Sequence, residues 1–561
     1  MNLPSHNSLL AVGVIVFAVS LSAQEKKEPA QRDATVPDQS QANLPKIDLP
    51  EFLITGQETI DLPVSLKSMI EEDKVYVAGS PTPGAKDAGI GSGTKVQKDL
   101  GGVANEMSGR VQGGIGNYTS PFLDGWFGKN YDAGGVLFHA NYASTSGQVT
   151  NADWQKTGIG IQGDYLSPKT FGILAGSRLN GGLDFSGQTY RAYGSSTPSQ
   201  QRTLDNVNVN LGLSSRTTDT DLLSNPLDYS ARISWSGTSL DDSTASSQND
   251  FGLLVSGSTK ENDIQFRGSM EYIVSGVSMQ LPPNTGTHAP EWFDLRLSGE
   301  KFFLPDLEAL VSVQQFIYRG NVSTSSGRFF PGAELRYFAS DAATVYFSVA
   351  PTVERNTLGS LVNADNYIQN RLELRPNEIP FALTLGTQYA FSDRLYWSGS
   401  FSYYSERNFP FFVELNSAKV WDVMYLPDVS VARFDLEGSY AFNQSNSATL
   451  SGSLNSTQAE DSANAVPNIP LLTLSGIYRH SFSNGIVVEL FAEYFSQRWK
   501  DFSHTHANAG YVNVGGKAEY QLFENFRALL QVDNLLDRQY YTWDGYVERP
   551  LFASLGVSFA W

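Results

Sequence analysis

Strict alternation between apolar and polar residues runs through long segments of this sequence, and it constrains the fold more than any other feature. The pattern is clear over 293–300, 433–442 and 512–522. In the second segment Phe434, Leu436 and Tyr440 share one parity, and Arg433 and Glu437 share the other. A period of two places alternate side chains on opposite faces of a β-sheet. The sequence therefore predicts many strands with one apolar and one polar face.

The polar faces carry too many charges to lie against a dry core, since unpaired buried charges are costly. These faces must meet water, so the apolar faces need lipid or another protein. A closed antiparallel transmembrane β-barrel with a wet lumen satisfies both demands. The alternative is a soluble β-sandwich or propeller with its polar faces outside. The predicted class is thus all-β, and the predicted location is the outer membrane of a Gram-negative cell, with lipid around the barrel.

Short polar turns recur about every 35–55 residues, which leaves room for two strands and one longer loop. Many of these turns follow an aromatic residue such as Phe303 or Phe523, as expected for a girdle at the periplasmic interface. Ten turns imply eleven hairpins and about 22 strands. Phe122–Phe127 is a short and poor strand candidate, so the count is weakest before Gly181. The ten turns are centred near Asp132, Pro168, Asp221, Asn262, Pro305, Asp341, Asp393, Ser445, Asn484 and Asn525.

Composition and the absence of known motifs disfavour several classes of function. The formal charge of −19 disfavours nucleic acid as a partner. The chain has no cysteine, which excludes thiol catalysis, disulfides and cysteine-ligated zinc. No nucleophile elbow and no H-E-x-x-H motif occurs, so we expect neither an enzyme nor a cofactor. His504 and His506 form an H-x-H pair that could bind a metal, but a polar external loop explains it better, and we predict no metal site.

The amino-terminal part divides into two predicted segments. Residues 1–23 resemble a signal peptide, because the apolar run Leu9–Leu21 is too short to span a bilayer and small residues follow it. Residues 24–106 are predicted to be an irregular periplasmic leader and linker, rich first in polar residues and later in glycine. The barrel is predicted to occupy 107–561.

The barrel strands supply the candidate functional residues. The final apolar face, with Leu555, Val557, Phe559 and Trp561, resembles the signal that the barrel-assembly machinery reads. Charged residues on polar strand faces are candidates for setting the selectivity of a pore, although they could instead only solvate the lumen. These lumen-facing candidates are Arg433, Asp435, Glu437, Glu489, Glu493, Lys517, Glu519, Arg527 and Asp533.

Four stretches in the last third of the chain resemble the barrel of TonB-dependent receptors. They are Arg375–Glu378, Gly386–Leu395, Val466–Pro470 and Asp533–Tyr541, in the order the family has them. The resemblance implies an outer-membrane barrel that binds or transports a small solute. A non-transporting binding or scaffold barrel is the alternative.

A second resemblance lies in the leader. Glu51, Phe52, Leu53, Ile54, Thr55 and Gly56 resemble a TonB box, an extended segment that pairs with TonB by strand addition. A β-prone patch that packs on the barrel mouth would explain the segment equally well. The family places a plug between the box and the barrel, and here only Gln57–Glu106 is available, without the plug's pattern. The leader, or inward-folded loops such as Glu406–Ser430, must then restrict the lumen.

Overall fold

The computed structural model describes residues 107–168, 176–215, 227–280, 285–320, 326–370, 372–392, 394–414, 418–460 and 464–561. The predicted signal peptide, the leader and the TonB-box-like segment lie outside these residues, as do the turn positions Asp221 and Asp393.

The described chain forms one closed antiparallel barrel of 22 strands, which confirms the predicted class and strand number. Two short segments lengthen the sheet: Thr285–His288 pairs with Val277–Gln280, and Thr352–Glu354 pairs with Asn377–Ile379. The strands are β1 Met107–Gly116, β2 Ser120–Tyr131, β3 Gly134–Thr145, β4 Trp154–Leu166, β5 Arg178–Arg191, β6 Gln201–Ser214, β7 Leu227–Asp241, β8 Ala245–Glu261, β9 Ile264–Gln280, β10 Glu291–Leu304, β11 Leu307–Arg319, β12 Ser326–Ser340, β13 Ala343–Val349, β14 Asn377–Ser392, β15 Leu395–Arg407, β16 Val429–Asn443, β17 Asn446–Ala459, β18 Leu472–Ser481, β19 Ile486–Phe495, β20 Tyr511–Phe523, β21 Phe526–Asp533 and β22 Phe552–Ala560.

The barrel closes between its first and last strands. β1 pairs antiparallel with β22 from Arg110 opposite Ala560 to Gly116 opposite Ser554. Gly114 and Gly556 face each other in this register, and a Cβ on Gly114 would lie 2.2 Å from the Leu555 carbonyl oxygen. Glycine at the seam therefore lets the two backbones approach closely enough to complete the cylinder.

The two ends of the barrel differ. At one end, most strands are joined by turns of two to four residues, and these turns contain seven of the ten predicted turn positions: Asp132, Asn262, Pro305, Asp341, Ser445, Asn484 and Asn525. Pro168 lies at the same end, in the longer connection between β4 and β5. At the other end most connections are longer loops. In outer-membrane barrels the short turns face the periplasm and the long loops face outward.

The segment Phe122–Phe127, expected to be a poor strand, lies inside β2. Every residue of this segment pairs with both neighbouring strands, from Phe122 opposite Gly114 of β1 and Ala143 of β3 to Phe127 opposite Gly109 and Phe138. Backbone pairing with both neighbours outweighs the weak local pattern, because β-propensity depends strongly on context.

Apolar side chains cover the outer face of the wall. Leu436 is 47% exposed and Phe523 is 72% exposed, and the predicted alternation places their polar neighbours on the inner face. An exposed apolar belt around a closed barrel is stable only in lipid.

One short helix, α1 Leu358–Ala364, lies in the loop between β13 and β14. Thr357 caps its first turn, because the Thr357 hydroxyl accepts from the Ser360 amide at 3.0 Å. Across the described residues, no helix is long and apolar enough to pass through a membrane.

Candidate functional site: a loop cluster at the outer mouth

Three long loops meet at the outer end of the barrel. They are the helix loop (350–376), the hairpin loop (408–428) and the terminal loop (534–551), and together we call them the loop cluster. The helix loop (from β13 to β14) and the hairpin loop (from β15 to β16) are neighbours on the rim, and four strands separate them from the terminal loop, which runs from β21 to β22. Strand spacing and tilt give a 22-strand barrel a diameter of about 40 Å. The helix loop also shares its core with residues of β6, β7 and β9, so it reaches over the mouth to a different part of the wall.

Aromatic rings form the centre of the loop cluster. Tyr367 of the helix loop stacks on Tyr546 of the terminal loop, with ring centroids 3.5 Å apart. Trp421 of the hairpin loop lies 4.8 Å from Trp543, and Tyr193 lies 5.1 Å from Tyr546. Trp421 and Tyr546 are almost fully buried. Four separate connections therefore contribute to one packed aromatic core.

The loop cluster also packs on the inner face of the wall. Leu358 and Val362 of α1, both fully buried, belong to the same apolar core as four residues of the wall strands β6, β7 and β9. These wall residues are Leu204, Leu240, Val277 and Met279. Each lies near the outer end of its strand, so the helix sits inside the mouth.

Arg202 fixes the helix loop to the wall. Its guanidinium donates to the carbonyl oxygens of Asn366 at 2.9 Å and Ile368 at 2.5 Å, and to the Asn370 side-chain oxygen at 3.1 Å. Asp242 lies 3.4 Å from the Arg202 Nε and compensates the charge. Arg202 is only 3% exposed, so these contacts are shielded from water and strong.

A second group of contacts holds the start of the helix loop. The Leu358 amide donates to the Gln248 side-chain oxygen at 2.7 Å. Arg355 forms an ion pair with Asp250 at 2.7 Å. Gln248 and Asp250 both belong to β8, so this strand of the wall holds the start of the helix loop in place.

Backbone hydrogen bonds join the loops to each other. The Gln369 amide donates to the Trp421 carbonyl at 2.7 Å, and the Trp421 amide donates to the Tyr367 carbonyl at 3.2 Å. The Tyr546 hydroxyl donates to the Lys419 carbonyl at 2.8 Å. The helix, hairpin and terminal loops are thus tied into one unit.

Two lysines and one carboxylate form a charged contact beside the aromatic core, which we call the lysine latch. Asp544 of the terminal loop pairs with Lys419 of the hairpin loop and with Lys500 at 2.6 Å. Burial disfavours the charged form of Asp544, but the hydrogen bonds from the two lysines outweigh it and lower the pKa of this carboxyl. The lysine latch is therefore charged at neutral pH.

Burial keeps the tyrosine hydroxyls of the aromatic core protonated. It raises the pKa of the Tyr193, Tyr367 and Tyr546 hydroxyls above the ordinary range. These hydroxyls stay protonated and act as hydrogen-bond donors, as Tyr193 does to the Val547 carbonyl at 2.9 Å.

The structure distributes the predicted lumen-facing residues along four strands, β16, β19, β20 and β21. Arg433 pairs with Asp435 at 2.7 Å, and Arg527 with Glu519 at 3.3 Å. The remaining five residues have these positions: Glu437 is opposite Ser398 in the strand register, Glu489 is opposite Lys517, Glu493 accepts from Asn513 at 3.4 Å, and Asp533 accepts from Gln531 at 3.0 Å. These residues form pairs within one strand or between neighbouring strands and are not gathered into a single site, so their role in selectivity stays a prediction.

His504 and His506 do not share a ligand position. The His504 ring stacks on Trp499 at 4.6 Å, and its Nε2 lies 3.1 Å from the Ala465 carbonyl. His506 instead faces Asp501 at 3.5 Å. No group of three histidine, aspartate or glutamate side chains in the described part of the chain is placed to hold a metal.

The carboxy-terminal strand exposes Leu555 and Val557 on the outer face. Phe559 stacks with Trp561 at 5.5 Å, and Gly109 of β1 leaves room for the Trp561 ring. Recognition of this face by an assembly machinery stays a prediction.

Several solved structures are similar to this barrel. The chain is similar to the FrpB iron transporter of Neisseria meningitidis, with a TM-score of 0.64 at 9% identity over 83% of each chain. It is also similar to the siderophore receptor PiuA of Acinetobacter baumannii, with a TM-score of 0.60 at 12% identity over 82% of each chain. The chain is also similar to the copper transporter OprC, with a TM-score of 0.62 at 12% identity over 82% of this chain and 81% of that chain.

The barrel has the fold of the TonB-dependent receptors. Because the sequence identities are only 9–12%, this similarity concerns the fold alone. It confirms the fold that the sequence resemblance implied. The architecture places the protein in the outer membrane. No family model matches the sequence, and no curated protein is significantly similar to it.

Proposed function

We propose that this protein is an outer-membrane transport barrel that binds a small solute and carries it inward, and that the loop cluster closes its outer mouth. The observation that carries the proposal is the core that the three loops share with each other and with the distant wall strands β6, β7 and β9. Solved structures with the same fold are named as iron and copper transporters and as a siderophore receptor. We propose no enzymatic activity.

Closure is needed because a wide lumen would leak. Natural 22-stranded transporters fill their lumen with a plug. The loop cluster would supply a barrier at the outer end, and we propose that the leader, residues 24–106, restricts the lumen from the periplasmic side. Residues 1–23 would be removed on export. The nine charged inner-face residues would then act on a solute only after it passes the loops.

The proposed partners follow from the same scheme. Glu51–Gly56 would add as a strand to TonB, which would supply the energy for uptake. The apolar face ending at Trp561 would be read by the barrel-assembly machinery during insertion. Outer-membrane lipid would surround the exposed apolar belt.

Conductance in planar bilayers tests which part closes the pore. Four proteins are compared: the intact chain, a deletion of Gln24–Gln97 behind an intact signal peptide, the Trp421→Ala variant, and the two changes combined. We expect a closed intact protein, partial conductance from each single change, and a wide pore from the combination. A closed combined variant would contradict transport through this lumen.

A scaffold role is the second candidate, and one observation favours it. The loop cluster buries Leu358, Val362 and Ile368 completely, as a protein interior does, whereas a gate has to open. Ser196→Cys with Ala418→Cys separates the two roles, because the Ser196 amide donates to the Ala418 carbonyl at 3.0 Å and the chain has no other cysteine. A transporter should lose uptake when this pair is oxidised and regain it on reduction. A scaffold barrel should pass no solute in either state. The Ser196→Cys variant alone controls for the substitution.

A further inference from the structure

Neutral polar side chains line the inner face of β6 and β7, and we call this row the polar ladder. Three amides of β6 each lie opposite a hydroxyl of β7. The ladder residues alternate with Leu211 and Trp235, which are exposed on the outer face, so the ladder faces the lumen. The three pairs of the polar ladder are Asn206 with Thr238, Asn208 with Ser236, and Asn210 with Ser234.

The outer end of the polar ladder lies under the helix loop. The Thr238 hydroxyl donates to the Asn206 side-chain oxygen at 2.9 Å. Gly359 of α1 packs against this pair, since a Cβ on Gly359 would lie 3.2 Å from the Thr238 hydroxyl oxygen and 3.7 Å from the Asn206 side-chain oxygen. A solute that passes α1 on this side of the lumen therefore meets the polar ladder first.

The inner end of the polar ladder is Arg232, the next residue on the same face of β7. Its register partner on β6 is Gly212, and its partner on β8 is Leu254. Gly212 leaves space beside the guanidinium, and Asn180 of β5 lies over it, because a Cβ on Gly212 would be 2.2 Å from the Asn180 side-chain oxygen. Arg232 is exposed to water. In the part of the chain that the structure describes, no carboxylate lies within ion-pair distance of Arg232.

Arg232 differs in this respect from other arginines of the inner face. Six arginines on other strands each form an ion pair with an aspartate or a glutamate, so their charges are compensated. Across the sheet from Arg232, the nearest inner-face carboxylate is Glu271, the register partner of Leu254, and its backbone is about 10 Å away. The six paired arginines are Arg178, Arg267, Arg296, Arg336, Arg433 and Arg527.

A guanidinium without a partner, placed beside neutral amides and hydroxyls, is suited to bind an oxyanion. Arginine donates two parallel hydrogen bonds to a carboxylate or a phosphate. Amide and hydroxyl groups both donate and accept, so they match the hydroxyl groups of a solute. We propose that Arg232 binds the anionic group of a small hydroxylated solute in the lumen, and that the polar ladder contacts the hydroxyl groups of that solute. The solute class is a polyhydroxylated carboxylate or phosphate.

This inference rests on the proposed function, because a solute reaches Arg232 only through the lumen. It adds a binding site on the side of the wall formed by β6 and β7, whereas the nine charged residues predicted from the sequence lie on β16, β19, β20 and β21.

A reporter thiol measures the charge at Arg232, since the chain has no cysteine. Ser234→Cys places a thiol on the same face of β7, about 7 Å along the strand from Arg232. In the full chain folded in detergent, this thiol is reacted with an anionic sulfonatoethyl and with a cationic trimethylammonioethyl methanethiosulfonate. We expect the ratio of the anionic to the cationic rate to fall about three- to sevenfold at low salt when Arg232→Gln is added.

Protection by gluconate tests the binding site itself. Gluconate carries a carboxylate and several hydroxyls, whereas sorbitol carries only hydroxyls and chloride only a charge. At a Kd of about 1 mM, gluconate at about 10 mM fills roughly nine-tenths of the sites and should slow both reactions of the Ser234→Cys thiol about tenfold. Sorbitol and chloride at the same concentration should not slow them. Arg232→Gln should abolish the protection, and Arg232→Lys should keep the rate ratio but weaken the protection, because lysine lacks the planar fork.

Two controls test whether these effects are local. Arg296→Gln changes an inner-face arginine that is already paired with Asp294, so it should alter neither the rate ratio nor the protection. Ser398→Cys places the thiol opposite Glu437, where the cationic reagent should react faster. Heat-modifiable gel migration checks that each variant forms the barrel.

Three results overturn the proposal: a rate ratio that Arg232→Gln leaves unchanged, gluconate protection that is absent or persists in Arg232→Gln, and a Ser234→Cys thiol that reacts with neither reagent. None of these measurements depends on transport. Gluconate protection in a barrel that passes no solute would support the Arg232 site and contradict the proposed function. Transport without gluconate protection would contradict the Arg232 site alone.

Discussion

The wall and the loop cluster of this protein are stabilised in different ways. The wall exposes its apolar side chains to lipid and pairs every strand with the next, so its outer residues gain little from one another. The loop cluster buries its apolar side chains as a soluble core does, with Trp421 and Tyr546 almost inaccessible. Substitutions should therefore act by opposite rules: charge is costly on the wall, and loss of volume is costly in the loop cluster.

Trp421→Ala should have the largest effect on the loop cluster. It removes a buried ring that lies between Trp543 and Tyr546. Truncating a buried tryptophan costs about 3–5 kcal/mol. We expect trypsin to cleave the hairpin and helix loops far faster while the barrel keeps its normal heat-modifiable gel migration.

Trp235→Ala is the matched control for that substitution. Trp235 is 40% exposed on the outer face of β7, where lipid replaces the lost contacts. It should change neither loop cleavage nor migration strongly. Equal loop cleavage in the two variants would contradict the distinction between wall and cluster.

Leu436→Arg should have the next largest effect, and on the wall instead. Leu436 is 47% exposed on the apolar face of β16. A charge there costs about 2–4 kcal/mol if the position is near the middle of the bilayer. We expect impaired assembly, visible as loss of the heat-modifiable band. Glu437→Gln, on the other face, should assemble normally, and equal assembly of both variants would mean that the faces are assigned wrongly.

The sequence predicts the wall far better than the loop cluster, and the reason is physical. The alternation of apolar and polar residues lies within each strand, so each strand can be recognised from its own residues. The number of turns between them then gives the number of strands in the barrel. The core of the loop cluster joins residues as distant in sequence as Tyr193, Tyr367 and Tyr546, and no local period records such contacts. The sequence did mark Glu406–Ser430 as a candidate for inward folding, but it gave no sign of Arg202 or α1.

Two of the four stretches that resemble TonB-dependent receptors contain asparagines that stabilise loops. Asn534 donates to the carbonyls of Arg538 and Arg549 at 2.8 and 3.0 Å, which fixes the neck of the terminal loop. Asn468 donates to the Phe412 carbonyl at 3.3 Å and so reaches the hairpin loop. Their pattern was visible in the sequence, but the loops that they hold together were not.

Tyr546→Phe should have a smaller effect that isolates the contribution of the hydroxyl. The ring and its stacking on Tyr367 remain, and the hydrogen bonds of the hydroxyl with the Lys419 carbonyl and the Ser195 side chain are lost. Each neutral hydrogen bond contributes about 1 kcal/mol, which is roughly a fivefold rise in loop opening. Tyr541→Phe, on an exposed residue of the same loop, serves as the comparison. A change as large as that of Trp421→Ala would show that the hydroxyl, and not the packing, dominates the core.

Asp544→Asn should have the smallest effect, because the lysine latch is partly exposed to water. Its side chains are roughly a quarter to a third exposed, and such pairs contribute about 0.2–1 kcal/mol. Loop opening at pH 7 should rise by fivefold at most. The difference should vanish in 1 M salt, where charges are screened within about 3 Å.

The pH dependence of the lysine latch follows from its two shifted groups. The pKa of Asp544 is lowered, so the stabilisation is complete above the ordinary aspartate value and is lost as the pH falls through the lowered pKa. For Lys419, burial opposes the charge, but the hydrogen bonds to Asp544 and Glu414 raise its pKa, so this contribution is complete below the ordinary lysine value and is lost only at higher pH. The effect of Asp544→Asn on trypsin cleavage should therefore be constant between about pH 5 and 9. Asp501→Asn, in a neighbouring loop without a lysine partner, should show no such salt-sensitive difference. A difference for Asp544→Asn that survives in 1 M salt would assign its effect to lost packing instead of charge.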